Sequence, residues 1–135
     1  MSERRLIDTN LIVRHLVQDH EKHAGAAGKL FDACDRGALV IVILPAVLAE
    51  CVFVLESFYQ HPRTGISSAL GRLISSPGVE ISDPEIHVDA LDRYRSTKLH
   101  FVDCMLAATA AARNTTVATF DQEIRKLTDV RVEFC

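Results

Sequence analysis

The sequence has no tryptophan and only four prolines and six glycines among 135 residues. With 48% hydrophobic residues, this scarcity of chain-breaking residues argues against a disordered chain. Its four cysteines occur in no CxxC or CxxH spacing, which disfavours a zinc site. The net charge of −3 argues against a broadly basic nucleic-acid binder, but it leaves room for an enzyme whose acidic cluster is neutralised by metal.

A long uninterrupted apolar run is also missing. The nearest approach is ALVIVILPAVLAECVFVL, residues 38–55, in which Pro45 splits the run and Glu50 is the one ionisable carboxylate. A membrane span needs about 20 apolar residues, whereas a β-branched strand followed by a helix with proline in its first turn explains this pattern more simply. The N-terminal MSERRLIDTN turns polar too soon for a signal peptide, so we expect a cytoplasmic protein with no membrane association.

Short apolar runs alternate with helical patterns along the chain. The predicted strands are 5–7, 40–43, 79–81, 116–120 and 130–134. The predicted helices are 10–17, 20–36, 45–59, 63–75, 83–96 and 101–114. This alternation predicts an α/β fold, a three-layer α/β/α sandwich with a mostly parallel central sheet of about five strands. The length suits a single domain over residues 1–135.

Four acids stand alone in otherwise uncharged segments. They are Asp8 in LIDTNLIV, Glu50 in the run above, Asp103 in FVDCMLAATAAA and Asp121 after TTVATF. Asp8 and Asp121 follow predicted strands, and ligands of parallel α/β sheets bind beyond the carboxyl ends of strands. Glu50 lies within the first two turns of the helix after the second strand, and Asp103 opens the Ala-rich helix. We therefore expect the four acids to point at one crevice.

Such a cluster needs a compensating cation or shared protons. Two carboxylates about 4 Å apart repel by roughly 4 kcal/mol at an effective dielectric constant near 20. Oxygen ligands without a nearby His or Cys favour a hard ion, Mg²⁺ or Mn²⁺. The alternatives are structural: Asp8 and Asp121 as helix or turn caps, Asp103 as a first-turn acid, and Glu50 in a buried pair with an arginine.

Together, LIDTN, PAVLAE, FVDCMLAATA and ATFDQEI resemble the PIN domain, and more narrowly the VapC-type toxins of toxin–antitoxin pairs. The resemblance covers nearly the whole chain, and the four acids follow in the family's order with separations of 42, 53 and 18 residues. Carried over by position, the family's catalytic, metal-binding acids fall on Asp8, Glu50, Asp103 and Asp121. Its supporting residues fall on Asn10 and Thr119, although Asn10 is equally suited to helix capping.

This resemblance implies a metal-dependent endoribonuclease, the toxin component of a type II toxin–antitoxin pair, with Mg²⁺ or Mn²⁺ as cofactor. It implies hydrolysis of RNA phosphodiester bonds by metal-activated water, with tRNA, rRNA or mRNA as substrate. It also implies a homodimer and a cognate antitoxin protein, whose Arg or Lys would take the metal position. The alternatives are a non-catalytic interaction module on the PIN scaffold and a Mg²⁺-dependent phosphotransfer or receiver-like protein.

Basic residues precede Asp103 in the segment DRYRSTKLH. Arg93, Arg95 and Lys98 are candidates for contacts with RNA phosphates, and a solvated helix end is the alternative. Glu123 is a candidate fifth acid, or else a solvated helix residue.

Overall fold

The structure is a computed structural model that describes residues 3–19 and 21–135. The strands are β1 (Glu3–Leu6), β2 (Leu39–Val42), β3 (Val79–Glu80), β4 (Val117–Thr119) and β5 (Val132–Phe134). The helices are α1 (Thr9–Val17), α2 (Glu21–Asp35), α3 (Pro45–Ser57), α4 (Arg63–Ile74), α5 (Pro84–Ser96) and α6 (Phe101–Arg113). A 3₁₀ helix, Gln122–Lys126, lies between β4 and β5. Each predicted element is present within a few residues of its predicted ends; His20, where one was predicted to begin, lies outside the described residues.

The chain divides into two compact units, the first ending at Pro84 and the second running from Glu85 to Cys135. The first unit contains a parallel sheet in the order β1-β2-β3. In its register, Leu6 is opposite Val42, and Val42 is opposite Glu80. Helices connect the consecutive strands, as parallel pairing requires.

The apolar run at residues 38–55 forms β2 and then α3, which confirms the predicted strand-then-helix arrangement. Pro45 occupies the first turn of α3, where its missing N–H costs no hydrogen bond. Leu48, Cys51 and Leu55 on α3 are buried, and each is at most 2% exposed. In the part of the chain that the structure describes, no helix has both the length and the apolar character needed to cross a membrane.

The second unit contains α5, α6 and the parallel pair β4-β5, in which Val117 is opposite Val132. Asn114 is the C-cap of α6 and adopts the left-handed conformation, with φ of 52°, as many residues that end helices do. A small apolar cluster connects α6, the β4-β5 pair and the 3₁₀ helix. Its members are Ala110, Val117 and Ile124, with Leu127, Val130, Val132 and Phe134 packed against them.

All strand pairs in the described residues are parallel, as predicted. Of the five strands expected in a central sheet, three form the sheet of the first unit and two pair in the second. The organisation of residues 1–135 as a single domain stays a prediction.

Candidate functional site

Asp8 is the N-cap of α1. Its backbone is extended, and its Oδ1 accepts a hydrogen bond of 2.9 Å from the backbone N–H of Leu11. This satisfies one of the donors left unpaired at a helix start, and the helix dipole favours the negative charge there. The capping role considered from the sequence is therefore real. Only one carboxylate oxygen is engaged, so the other oxygen of this exposed side chain remains available.

Glu50 lies in the second turn of α3 and is exposed. It forms no ion pair within the described residues, so the buried pair with an arginine that the sequence left open is not found. The other side of α3 carries the buried residues Cys51 and Leu55. The expected cost of burying an unpaired acid does not arise, because the carboxylate points away from the core.

Asp8 and Glu50 line one cavity of about 310 Å³ together with Thr9, Asn10 and Val54. The parallel pairing of β1 and β2 explains why Asp8 and Glu50 lie at the same cavity. Leu6 and Val42 are the last residues of the two strands and lie opposite each other, so α1 and α3 both begin beyond the carboxyl ends of these strands. This is the location where parallel α/β sheets bind ligands.

The carboxylates of Asp8 and Glu50 both act electrostatically on the thiol of Cys51. The pKa of Cys51 is raised to about 12, mainly by burial and then by the negative charges of Glu50 and Asp8. Two acids 42 positions apart in the sequence thus act on one buried atom. Residue types alone do not reveal this interaction, because Cys51 resembles any other small apolar residue of a core helix.

In the second unit, Asp103 lies in the first turn of α6 and is half-buried. Its carboxylate has no hydrogen bond or ion pair within the described residues. The helix dipole favours an acid at this position. The position of Asp103 is therefore compatible both with a purely structural role and with a role as metal ligand.

Asp121 follows β4 and caps the 3₁₀ helix, where its Oδ1 accepts from the backbone N–H of Glu123 at 2.9 Å. The backbone N–H of Asp121 in turn donates to Thr119 Oγ1 at 3.0 Å. Thr119 therefore fixes the backbone that carries the acid. As with Asp8, one carboxylate oxygen is used in capping, and the side chain is exposed.

The PIN domain family model matches residues 5–130. The chain belongs to the PIN domain family. This confirms the predicted α/β, PIN-like fold class. PIN domains are generally nucleases, and those nucleases typically depend on divalent metal ions. A search of curated proteins finds no match to the chain.

The donor set of this PIN domain suits a hard divalent ion. Asp8 and Glu50 offer carboxylate oxygens to one cavity, Asn10 adds an amide oxygen, and none of the cavity's lining residues is a His or Cys. Over residues 3–19 and 21–135, no three His, Cys, Asp or Glu side chains are grouped so that they could hold a metal ion. The shared site of Asp8, Glu50, Asp103 and Asp121 stays a prediction.

Asn10 does not cap the first helix. Asp8 has that role, and Asn10 lies inside α1, exposed, with its side chain on the cavity that the two acids line. The capping alternative for Asn10 is therefore wrong, and its placement favours the supporting role. Thr9 lines the same cavity and is 7% exposed, a neighbour that the sequence did not single out.

The three basic residues before Asp103 differ in their surroundings. The guanidinium of Arg93 is held by Asp89 and by both oxygens of Asp129, and the side chain is only 12% exposed. This favours a structural role for Arg93 over RNA binding. Arg95 is exposed and 3.5 Å from Asp92.

Lys98 is also exposed and lines a cavity of about 390 Å³ with Lys126, so two cations face the same depression. Glu123 lines that cavity too and pairs with Lys126 at 2.7 Å. This arrangement favours the solvated interpretation of Glu123 over a fifth metal ligand. Contacts of Arg95 and Lys98 with RNA stay a prediction.

Proposed function

We propose that this PIN domain is a metal-dependent endoribonuclease and the toxin component of a type II toxin–antitoxin pair. The observation that carries the proposal is the shared cavity of Asp8 and Glu50, two carboxylates without a basic partner in the described residues. Two neighbouring acids that no Arg or Lys neutralises favour cation binding. Membership of a family of metal-dependent nucleases supplies the reaction class.

Asp8 and Glu50 would hold Mg²⁺ or Mn²⁺, with Asn10 as a supporting oxygen donor. When bound, such an ion lowers the pKa of a coordinated water and offsets negative charge on the scissile phosphate. Asp8 is oriented for this task before any ligand arrives, because the Leu11 N–H fixes its Oδ1. Preorganisation of this kind lowers the cost of assembling the charged site.

Asp103 and Asp121 would complete the site. In the second unit, α6 turns into β4 through residues 114–116 and packs against it. A short connection of this kind reverses the chain direction, so the start of α6 and the end of β4 are expected at the same end of that unit. The Thr119 hydroxyl then positions Asp121 by accepting from its backbone N–H.

A protein partner is part of the proposal. Phe53 and Phe58 on and just after α3 are 66% and 77% exposed. Large exposed aromatic side chains are typical of protein-binding surfaces, which suits a cognate antitoxin and a homodimer. An antitoxin Arg or Lys side chain in the cavity of Asp8 and Glu50 would replace the metal's charge and silence the enzyme.

The direct test measures cleavage of tRNA, rRNA and mRNA by the purified chain, first freed of metal and then supplied with Mg²⁺ or Mn²⁺. We expect cleavage only with metal, and a loss of about 100-fold or more in Asp8→Asn and Asp103→Asn, the scale of removing one transition-state contact. Asp32→Asn, an exposed acid on α2, is the matched control and keeps full activity. Equal cleavage by Asp8→Asn and the control would contradict the proposal, and binding without cleavage would indicate the non-catalytic module.

The toxin role has its own test. Expression of the chain in a bacterial host is expected to arrest growth, and expression of Asp8→Asn is not. Co-expression of the product of a neighbouring small gene is expected to relieve the arrest and to copurify with the chain. A chain that cleaves RNA in vitro without arresting growth would keep the nuclease assignment and remove the toxin assignment.

A further inference from the structure

A second cavity in the first unit, of about 390 Å³, has a mostly apolar lining. Its residues come from α1 and α2: Asn10, Leu11, Arg14, His23, Ala26, Ala27 and Leu30. Leu11, Ala26, Ala27 and Leu30 supply its apolar surface. Asn10, Arg14 and His23 supply its polar groups. A mostly apolar cavity with a few polar groups is the usual composition of a small-molecule binding site.

This cavity and the one lined by Asp8 and Glu50 share Asn10. From Asn10 the surface of α1 continues to Arg14, four residues or about 6 Å further along the helix. A ligand bound at the two acids can therefore extend along α1 into the second cavity without leaving the surface of the first unit.

Arg14 is held in place at this cavity. Its Nη1 donates to Asp19 Oδ1 at 2.9 Å, and the hydroxyl of Tyr59 donates to the other oxygen of Asp19 at 2.8 Å. The Arg14 side chain as a whole remains one-third exposed. An oriented guanidinium plane can stack on a base or donate to its edge, and it loses little conformational entropy in doing so.

We propose that the cavity between α1 and α2 binds one unstacked nucleobase of the RNA, next to the nucleotide whose phosphate is cut. It thereby selects the sequence around the cleavage site. This inference rests on the proposed ribonuclease function, which it deepens. Sequence-specific recognition of RNA mostly uses single-stranded bases that are turned out and packed against side chains, and a cavity of this size and apolar lining suits one base.

A base fits these features better than a peptide does. The cavity is bounded by two adjacent helices and shares the lining residue Asn10 with the cavity of the proposed cleavage site. Its polar groups include a fixed guanidinium, which complements the acceptor atoms of a base. The large exposed aromatic residues that suit a protein partner, Phe53 and Phe58, do not line this cavity.

The test uses a substitution that fills the cavity between α1 and α2 with a larger side chain. Ala26 is exposed on α2 and lines the cavity, so Ala26→Trp places an indole where the base would bind. Ala112→Trp on the exposed surface of α6 is the matched control. Wild type and both variants are incubated with Mg²⁺ or Mn²⁺ and an RNA pool randomised around one cleavage site, and the cut positions are sequenced.

We expect wild type and Ala112→Trp to share a preference for one base at a single position beside the cut. Ala26→Trp is expected to lose that preference by about tenfold, the scale of one stacked base, while still cutting RNA. Circular dichroism checks folding, and Ala26→Leu replaces the variant if Ala26→Trp does not fold. In metal-free buffer, titration with the four nucleoside 5′-monophosphates is expected to shift the methyl NMR signals of Leu11 and Leu30 in wild type and not in Ala26→Trp.

An unchanged base preference in Ala26→Trp would overturn the inference and leave the nuclease assignment standing. A uniform loss of cleavage for every sequence would also overturn it, as would a wild type without any preference at that position. If Ala26→Trp keeps its preference but no longer binds the antitoxin, the cavity belongs to the protein partner. Absence of metal-dependent cleavage by wild type would instead refute the proposed function itself.

Discussion

Gly78 lies so close to Cys34 that a Cβ added to Gly78 would be 2.8 Å from the Cys34 Sγ and 3.1 Å from its carbonyl oxygen. Gly78 also has a φ of 83°, in the left-handed region that favours glycine. It immediately precedes β3, and its carbonyl accepts from the N–H of Ile41 at 2.9 Å. The chain therefore enters β3 through a position where both conformation and space require glycine.

Gly78→Ala is expected to lower the free energy of unfolding by about 2–4 kcal/mol, combining the left-handed penalty with overpacking against Cys34. Urea denaturation measures the change. Gly71→Ala is the matched control, because Gly71 lies inside α4 with nothing within 4 Å of the added Cβ. That substitution should stabilise the chain by about 0.5–1 kcal/mol. Equal changes in the free energy of unfolding for Gly78→Ala and Gly71→Ala would show that Cys34 does not exclude a side chain at position 78.

The raised pKa of Cys51, about 12, predicts an unreactive thiol. At pH 8 almost all of it is protonated, and the side chain is fully buried. Iodoacetamide applied to the native protein should label the exposed Cys135 and leave Cys51 unmodified, as intact mass and peptide mapping would show. Labelling of Cys51 at the rate of Cys135 would contradict this account of α3.

Glu50→Gln is expected to lower the pKa of Cys51, because it removes a neighbouring negative charge that raises it. Burial remains the larger cause, so the thiol stays largely protonated at pH 8. The fold should be retained, since Glu50 is exposed and makes no ion pair in the described residues. Thiolate absorbance at 240 nm, followed to high pH in wild type and variant, measures the difference, and an identical titration in both would count against the proximity of Glu50 to Cys51.

Asp129→Asn is expected to lower the free energy of unfolding by about 1 kcal/mol, since Arg93 is mostly buried but Asp129 is 59% exposed and screened by solvent. Arg93 lowers the pKa of Asp129 below its usual value, through hydrogen bonds first and charge second. A depressed carboxyl pKa contributes stability above the unfolded value of 3.8, and this contribution is lost as the pH falls through the folded pKa. The difference in stability between wild type and Asp129→Asn, measured by thermal unfolding, should thus be constant near neutral pH. It should disappear below about pH 4.

Asp92→Asn is the matched control for Asp129→Asn. Asp92 also pairs with an arginine, but the distance is 3.5 Å and both side chains are more than half exposed. Its loss should change stability by less than about 0.5 kcal/mol. A stability difference between wild type and Asp129→Asn that increases in acid would show that the predicted direction of the pH dependence is wrong.

Much of the fold could be predicted from the sequence because its local signals agree. Pro45, the β-branched run before it and Asn114 each mark an element boundary by simple steric rules. The division of the strands between two sheets could not be predicted, because periodicity identifies strands without naming their partners.

The candidate site was predictable only in part. Strand ends placed Asp8 near the helix of Glu50, and the structure brings the two into one cavity. The pairing of Arg93 with Asp129 was not predictable, because 36 residues separate them and no local pattern links them. The choice between Asp8 and Asn10 as helix cap depended on a backbone conformation that residue types alone leave open.

The N-cap bond from Leu11 to Asp8 adds a structural requirement at position 8 to the catalytic role that we propose for this acid. Asparagine accepts the same bond as aspartate, whereas alanine forfeits about 1 kcal/mol of helix stability. Without the proposed catalytic role, the helix alone would still permit Asn or Ser at this position, whereas an aliphatic residue would leave the Leu11 N–H without its capping acceptor. Inactive relatives should accordingly be recognisable by a neutral capping residue here, because selection for folding persists after selection for cleavage has lapsed.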